Sequence, residues 1–291
     1  MSKTLLVLAI LAAVAVGAYF YIHRHPGPPD IAFGADGVDF AQLEAKIPLS
    51  PVDLDRVTPD SLKSLTQEQV DQLYARLTAG PIPDAPFDGD LFFPRGSDRS
   101  RFAEVVGGGI AGGLKGGAAE IQVAKLEFLG AQLWKGKVFD REDRLLRNRI
   151  SDLKSLDLLL TKDEEAQLES LRSKELGQYL LFPARLYCGQ SLLDGRRESI
   201  IIDYAYTDQL PGYLAKLDRL VGREGLAIRD EIRMVRPGFY LGRAYLNRVF
   251  GVNFTLYNKE LAEAGRADFL ASGRVAEDCW TGEQKRHADA T

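Results

Sequence analysis

Between residues 187 and 256 the chain alternates apolar and polar positions in short runs separated by turn dipeptides. The run Ser199-Ile200-Ile201-Ile202-Asp203-Tyr204-Ala205-Tyr206 is β-branched and aromatic. Period-two geometry sets Ile200, Ile202, Tyr204 and Tyr206 on one face and Ile201, Asp203 and Ala205 on the other. Both faces are largely apolar, which predicts a central strand. Just before it, Leu192-Leu193-Asp194-Gly195 places Asp-Gly between two β-rich runs, and that dipeptide tolerates the positive φ of a tight hairpin turn. The run 226–235 puts Leu226, Ile228, Asp230, Ile232 and Met234 on one face, so a single acid interrupts an apolar surface. Ile228, Ile232 and Val235 also fall at helical spacing, and a helical reading stands beside the strand. Pro237-Gly238 then predicts a turn, followed by strands over 239–246 and 249–256. Short strands joined by tight turns, with no βαβ alternation, predict a closed or nearly closed antiparallel sheet.

Upstream, Leu133-Trp134-Lys135-Gly136-Lys137-Val138-Phe139 reads as a strand, and 81–94 holds the first one. Thr66 followed by Gln69 has capping-box spacing and predicts a helix over 67–77 that ends at Gly80. The stretch 151–178 reads as a helical insertion, with a second box at Thr161/Glu164 and leucines at 168 and 171. A polar helix is expected over 259–272, then a loose tail. The organisation is therefore an anchor or signal segment (1–25), a linker with short helices (26–80), a barrel-like domain with helical inserts (81–257), and a C-terminal helix and tail (258–291). The class is mainly β with helical insertions (α+β), in which an N-terminal transmembrane helix precedes an antiparallel barrel.

That transmembrane expectation rests on residues 4–22, which carry no charge. About 20 apolar residues span a hydrocarbon core. A cleaved signal peptide is the other reading, since Ala13-Val14-Ala15 and Val16-Gly17-Ala18 supply small residues, but Tyr19-Phe20-Tyr21-Ile22 suits a membrane interface better. The preferred orientation keeps the amino terminus inside and the large domain outside. Glycines 108, 112 and 116, repeated at 109, 113 and 117, have the small-xxx-small spacing of close-packed helices. Lys115 is followed by glycine rather than Ser or Thr, so this is no phosphate loop. It reads as a close-packed or flexible lid, or as a second membrane-touching helix.

Charge and composition narrow the chemistry. The net charge of −4, without a basic patch, argues against nucleic acid as a partner. The three histidines, His23, His25 and His287, lie outside the expected body, which removes imidazole as general base or metal ligand there. No cofactor or metal is expected. Asp203 and Asp230 could serve as an acid/base pair, although a buried Asp more often pairs with a cation such as Arg233, Arg236 or Arg243. Cys188 and Cys279 are the only cysteines; in an exported domain they are candidates for a disulfide, in a reducing compartment for two free thiols.

At Phe87-Asp88-Gly89, the 133–139 strand, Asp194-Gly195, Ile201-Ile202-Asp203-Tyr204 and Phe239-Tyr240-Leu241-Gly242, the spacing resembles the small GXWXG-type calycin-like (lipocalin-like) barrels. It also looks like an uncharacterised bacterial family of anchored proteins carrying Ile228-Arg229-Asp230-Glu231-Ile232-Arg233. Residues 143–180 and 207–225 stand as extra inserts against that pattern. The resemblance implies a barrel with a cavity for an apolar small molecule or lipid; with the 4–22 span, the expected location is the bacterial inner membrane, single-pass, with the large domain in the periplasm. Trp134, Tyr204, Tyr206, Tyr240 and Tyr245 would line the cavity, with Asp203, Asp230 and Arg243 as the polar groups that orient a ligand. The alternatives are a structural or partner-binding envelope protein and a carboxylate enzyme built on Asp203 and Asp230.

Overall fold

Eight strands alternate as the pattern demands, and the last returns to the first. In a computed structural model that describes residues 38–97, 133–151 and 167–282, β1 (Pro86–Phe92), β2 (Trp134–Asp140), β3 (Leu145–Ile150), β4 (Tyr179–Gln190), β5 (Glu198–Asp203), β6 (Ile228–Arg236), β7 (Phe239–Leu246) and β8 (Val249–Tyr257) are hydrogen-bonded in chain order. β8 pairs with β1 through Asp88↔Tyr257 to Phe92↔Asn253, so the antiparallel barrel is closed and has no free edge. All elements belong to one compact unit, residues 39–291. From Ile228 onward the run 226–235 is strand rather than helix, because both neighbours, β5 and β7, take up its backbone groups.

One end of the barrel is plugged. Met234 N–H donates to the Thr78 carbonyl (2.9 Å), Phe139 N–H to the Ala85 carbonyl (3.1 Å), and the Tyr240 hydroxyl to the Pro81 carbonyl (2.6 Å), which seats Ile82 in the interior. Residues 274–282, expected to be a loose tail, are instead held against this plug. Glu277 accepts from Gly80 N–H and Asp278 from Ile82 N–H, both at 2.8 Å, while Cys279 is joined to Cys188 on β4 by a disulfide.

The helices lie outside the barrel. The sequence stretch expected as linker and short helices contains α1 (Phe40–Lys46), α2 (Pro51–Asp55), α3 (Pro59–Lys63) and α4 (Gln67–Ala75), each opened by a capping side chain: Asp39, Ser50, Thr58 and Thr66. The Thr66/Gln69 box is formed as expected. α4 packs Val70, Leu73 and Tyr74 against Val235, Phe239 and Leu241 on the outward face of β6 and β7. Beneath it Arg233 is wholly buried, donating to Ser199 Oγ (2.9 Å) and to the carbonyls of Tyr74, Asp194 and Arg197. α5 (Ala215–Val221) lies in the β5–β6 connection, and α6 (Lys259–Ser272) has the bounds that the polar helix pattern predicts.

Three local expectations fail. β3 falls inside a stretch read as an insert, since Leu145-Leu146-Arg147-Asn148-Arg149-Ile150 carries its polar residues on both faces of the wall. In the described part of the expected 151–178 helix, residues 167 and 168 are helical and a 3-10 turn, Glu169–Leu171, follows, but the helix does not continue to 178; Gly177 at φ +63° closes a turn that feeds β4, with Ser173 N–H donating to Gln178 O. The β4–β5 turn is wider than a two-residue Asp-Gly hairpin and occupies 191–197, because Ser191 Oγ caps the loop and the Asp194 carboxylate is drawn onto Arg196. Among the described residues no helix is long and apolar enough to cross a membrane. The 4–22 run, the glycine-rich 107–117 segment, the Thr161/Glu164 box and all three histidines lie outside the described residues.

Candidate functional site: a polar-floored cavity inside the barrel

Away from the plug, the barrel interior is not filled. A cavity of about 150 Å³ is lined by apolar side chains from the strand ends, among them Leu91, Phe182, Leu246, Val252 and Phe254, with Val221 and Leu226 from the β5–β6 connection. Two glycines shape its wall by letting aromatic rings lie flat on backbone. A Cβ on Gly89 would stand 2.3 Å from the Trp134 ring, and one on Gly242 would stand 2.2 Å from the Phe254 ring. Trp134 and Phe254 then meet edge to face at 5.8 Å. Gly242→Ala is expected to cost about 1–3 kcal/mol, since the Phe254 ring it strikes must leave its edge-to-face packing on Trp134; urea unfolding reads the loss, and an unchanged midpoint would show that the ring moves freely into the cavity.

Four polar groups stand within this apolar surface. Lys137 Nζ donates to Tyr204 Oη (2.7 Å), Asn148 Oδ1 (2.9 Å) and Asp230 Oδ2 (3.0 Å), so all three ammonium protons are engaged. Asn148 Oδ1 also accepts from Trp134 Nε1 (3.0 Å), and its Nδ2 donates to Phe182 O (3.0 Å) and Tyr204 Oη (3.1 Å). The Tyr204 hydroxyl donates to Asp230 Oδ2 at 3.3 Å. Lys137 and Asp230 are each under 5% exposed, 93 residues apart in sequence and paired only through barrel closure. The ammonium is also 5.4 Å from the Trp134 and Tyr204 ring centres and 5.5 Å from that of Phe254.

Burial acts to depress the Lys137 pKa, but Tyr204 and Asp230 at hydrogen-bond distance outweigh it and hold it above the ordinary lysine value. Burial likewise pushes the Tyr204 phenol up to about 12, so it stays a protonated donor. The cavity thus contains a compensated ion pair with no net charge.

Sequence-expected site residues separate into those that line this cavity and those that do not. Trp134, Tyr204 and Asp230 line it. Tyr240 points inward but toward the plug, against Phe87. Tyr206 lies beyond the end of β5 and is exposed, stacked by Arg223. Asp203 faces outward, accepting from the Tyr187 hydroxyl at 2.8 Å. Arg243 and Tyr245 also face outward; Arg243 pairs with Asp71 of α4 and donates to Tyr245 Oη. The reason is parity: in register with Ile202↔Asp230 and Asp230↔Ala244, the odd-numbered positions 203, 243 and 245 fall on the outer face. Asp203 and Asp230 therefore stand on opposite sides of the wall and form no acid/base pair. Asp230 pairs with Lys137, not with Arg233, Arg236 or Arg243 as expected, since those arginines are outside.

Lys137 and Asn148 were not anticipated as site residues. Their signal lies in the strands: Lys137 is in phase with Phe139, and Asn148 is its direct cross-strand partner. A register shift between Trp134 and Gly136 brings Trp134 and Lys137 to the same face despite their odd spacing. Among the described residues, the Cys188, Glu198 and Cys279 grouping is not a metal-ligand set, because both sulfurs are consumed in the disulfide.

These features define a closed eight-stranded antiparallel barrel with an internal, charge-neutral, largely apolar cavity. No family model and no curated protein matches the chain. A crystal structure of a protein from Thermomonospora curvata aligns with a TM-score of 0.36 at 16% identity, covering 76% of this chain and 99% of that one, a likeness too distant to carry an argument. Of the expected calycin-like resemblance, the structure shows the closed eight-stranded antiparallel barrel, and no family match supports the rest.

Proposed function

We propose that this chain is a binding protein that holds a small apolar molecule, or the apolar end of a lipid, in the barrel cavity. The carrying observation is the cavity of about 150 Å³ with a largely apolar wall and a few convergent polar groups. An eight-stranded barrel is just wide enough to be filled by its side chains or to hold one small ligand, and here part of the width is left open. In this reading residues 4–22 tether the chain to the inner membrane and the barrel stands on the periplasmic side. The Cys188–Cys279 disulfide supports an oxidising compartment.

Native mass spectrometry of the full-length chain from its native host, followed by organic extraction, tests the binding. A stoichiometric apolar molecule is expected. Ala244→Leu should abolish its retention, because Ala244 lines the cavity between Asp230 and Val252 and the larger side chain grows into the open volume. The variant should keep wild-type stability to within about 1 kcal/mol, as overpacking costs more only where space is already filled. Nothing bound to the wild type would count against the cavity as the functional site and favour a partner-binding role.

A further inference from the structure

We propose that the molecule this cavity accepts is uncharged and carries a hydroxyl or N–H donor on its apolar body, and that carboxylates such as fatty acids are rejected. The inference rests on the binding reading above and sharpens it through the hydrogen-bond arithmetic of the polar floor. Every donor there is spent: the three Lys137 protons, both Asn148 Nδ2 protons, Trp134 Nε1–H and the Tyr204 hydroxyl all have acceptors inside the cluster. Asn148 Oδ1 takes bonds from Trp134 and Lys137, and Tyr204 Oη from Lys137 and Asn148. Both bonds to Asp230 go to Oδ2. Among the described residues none donates to its Oδ1, although Asp230 is only 4% exposed and lines the cavity.

Asp230 Oδ1 is not one of the fully buried atoms without a partner, so it stays open to a molecule in the cavity, and hydrogen bonds to charged groups are worth more than neutral ones. The floor therefore asks its occupant for a donor. It offers no free donor to an anion, and because Lys137 already compensates Asp230, a ligand carboxylate would bring a second, uncompensated negative charge into an apolar chamber. A cationic amine would sit close to the Lys137 ammonium, so an uncharged donor fits best.

Near-isosteric probes test this on the full-length chain by isothermal titration calorimetry: phenol, toluene and benzoate. Phenol is expected to bind roughly tenfold or more tighter than toluene, the range for a hydrogen bond to a charged acceptor, and benzoate should show no binding. In the Lys137→Met/Asp230→Leu double variant, whose floor is apolar, the preference for phenol over toluene should vanish while toluene still binds. Equal affinities for phenol and toluene in the wild type, or a preference for benzoate, would overturn the donor assignment and leave the cavity reading in place. Failure of all three to bind would overturn the binding reading itself.

Discussion

Replacing Lys137 by methionine lowers the free energy of unfolding by about 3–5 kcal/mol, the cost of leaving one member of a buried ion pair unpaired. Lys137 is 3% exposed and serves three acceptors, so the loss strands Asp230 in an apolar cavity and takes a donor from Asn148 and Tyr204. Adding Asp230→Leu should restore at least half of that loss, because a neutral, apolar floor removes the stranded charge. Tyr204 then loses the Lys137 donor and the Asp230 acceptor, and keeps Asn148 Oδ1, at 3.5 Å, to take its proton. Urea unfolding of the wild type, both single variants and the double variant closes the cycle. If the double variant is as weak as Lys137→Met, the ion pair is not the source of the effect. The pH dependence has a defined sign. Since the Lys137 pKa is raised on folding, its contribution is complete below the unfolded value of about 10.4 and fades only as pH climbs through the folded value. The difference between wild type and Lys137→Met should accordingly stay flat from about pH 7 to about pH 9.

The second large effect is expected from opening the disulfide. Cys188 and Cys279 are 91 residues apart, and closing a loop of that length stabilises by about 4–5 kcal/mol in the chain-entropy account. Cys279 follows Glu277 and Asp278, whose carboxylates cap the backbone of the plug at Gly80 and Ile82. Cutting the covalent tie loosens that cover as well. A Cys188→Ala/Cys279→Ala variant, unfolded in urea beside the wild type with and without reductant, should lose about 4 kcal/mol, and reductant should change the wild type alone. A loss below about 1 kcal/mol would show that the carboxylate caps and the buried contacts of the tail hold the plug unaided.

Local pattern carried much of the barrel. β-branched alternation marked β5 and β6, Pro237-Gly238 marked the turn into β7, and the Thr66/Gln69 box marked the start of α4. Such signals rest on neighbours within a few residues and survive folding, because the two-residue alternation belongs to the strand backbone itself. β3 escaped notice for the converse reason. Its arginines face outward, where Arg149 donates to Asp88, while Asn148 faces inward, where Lys137 and Tyr204 meet it. Polar residues on both faces blur the alternation that reveals a strand. The tail escaped too: its polar residues 277 and 278 read as solvated until the plug they cap is known.

The candidate site divides along the same line. Asp230 stood out because one acid broke the apolar face of its own strand, and Trp134 and Tyr204 because large aromatics in strands bury themselves. Their rank as cavity residues, and the removal of Asp203, Arg243 and Tyr245 to the outside, followed from the register of each strand with its neighbours. A one-residue difference in parity exchanges the inside for the outside, and strand register is a long-range quantity. From sequence came an apolar-faced barrel wall, a helical cap site and an isolated inward acid, all local properties of the chain. That the acid's partner is Lys137 rather than a nearby arginine, and that the pair floors an open chamber with one acceptor unspent, depended on closing eight strands around it. Two side chains 93 residues apart meet only when β1 and β8 join.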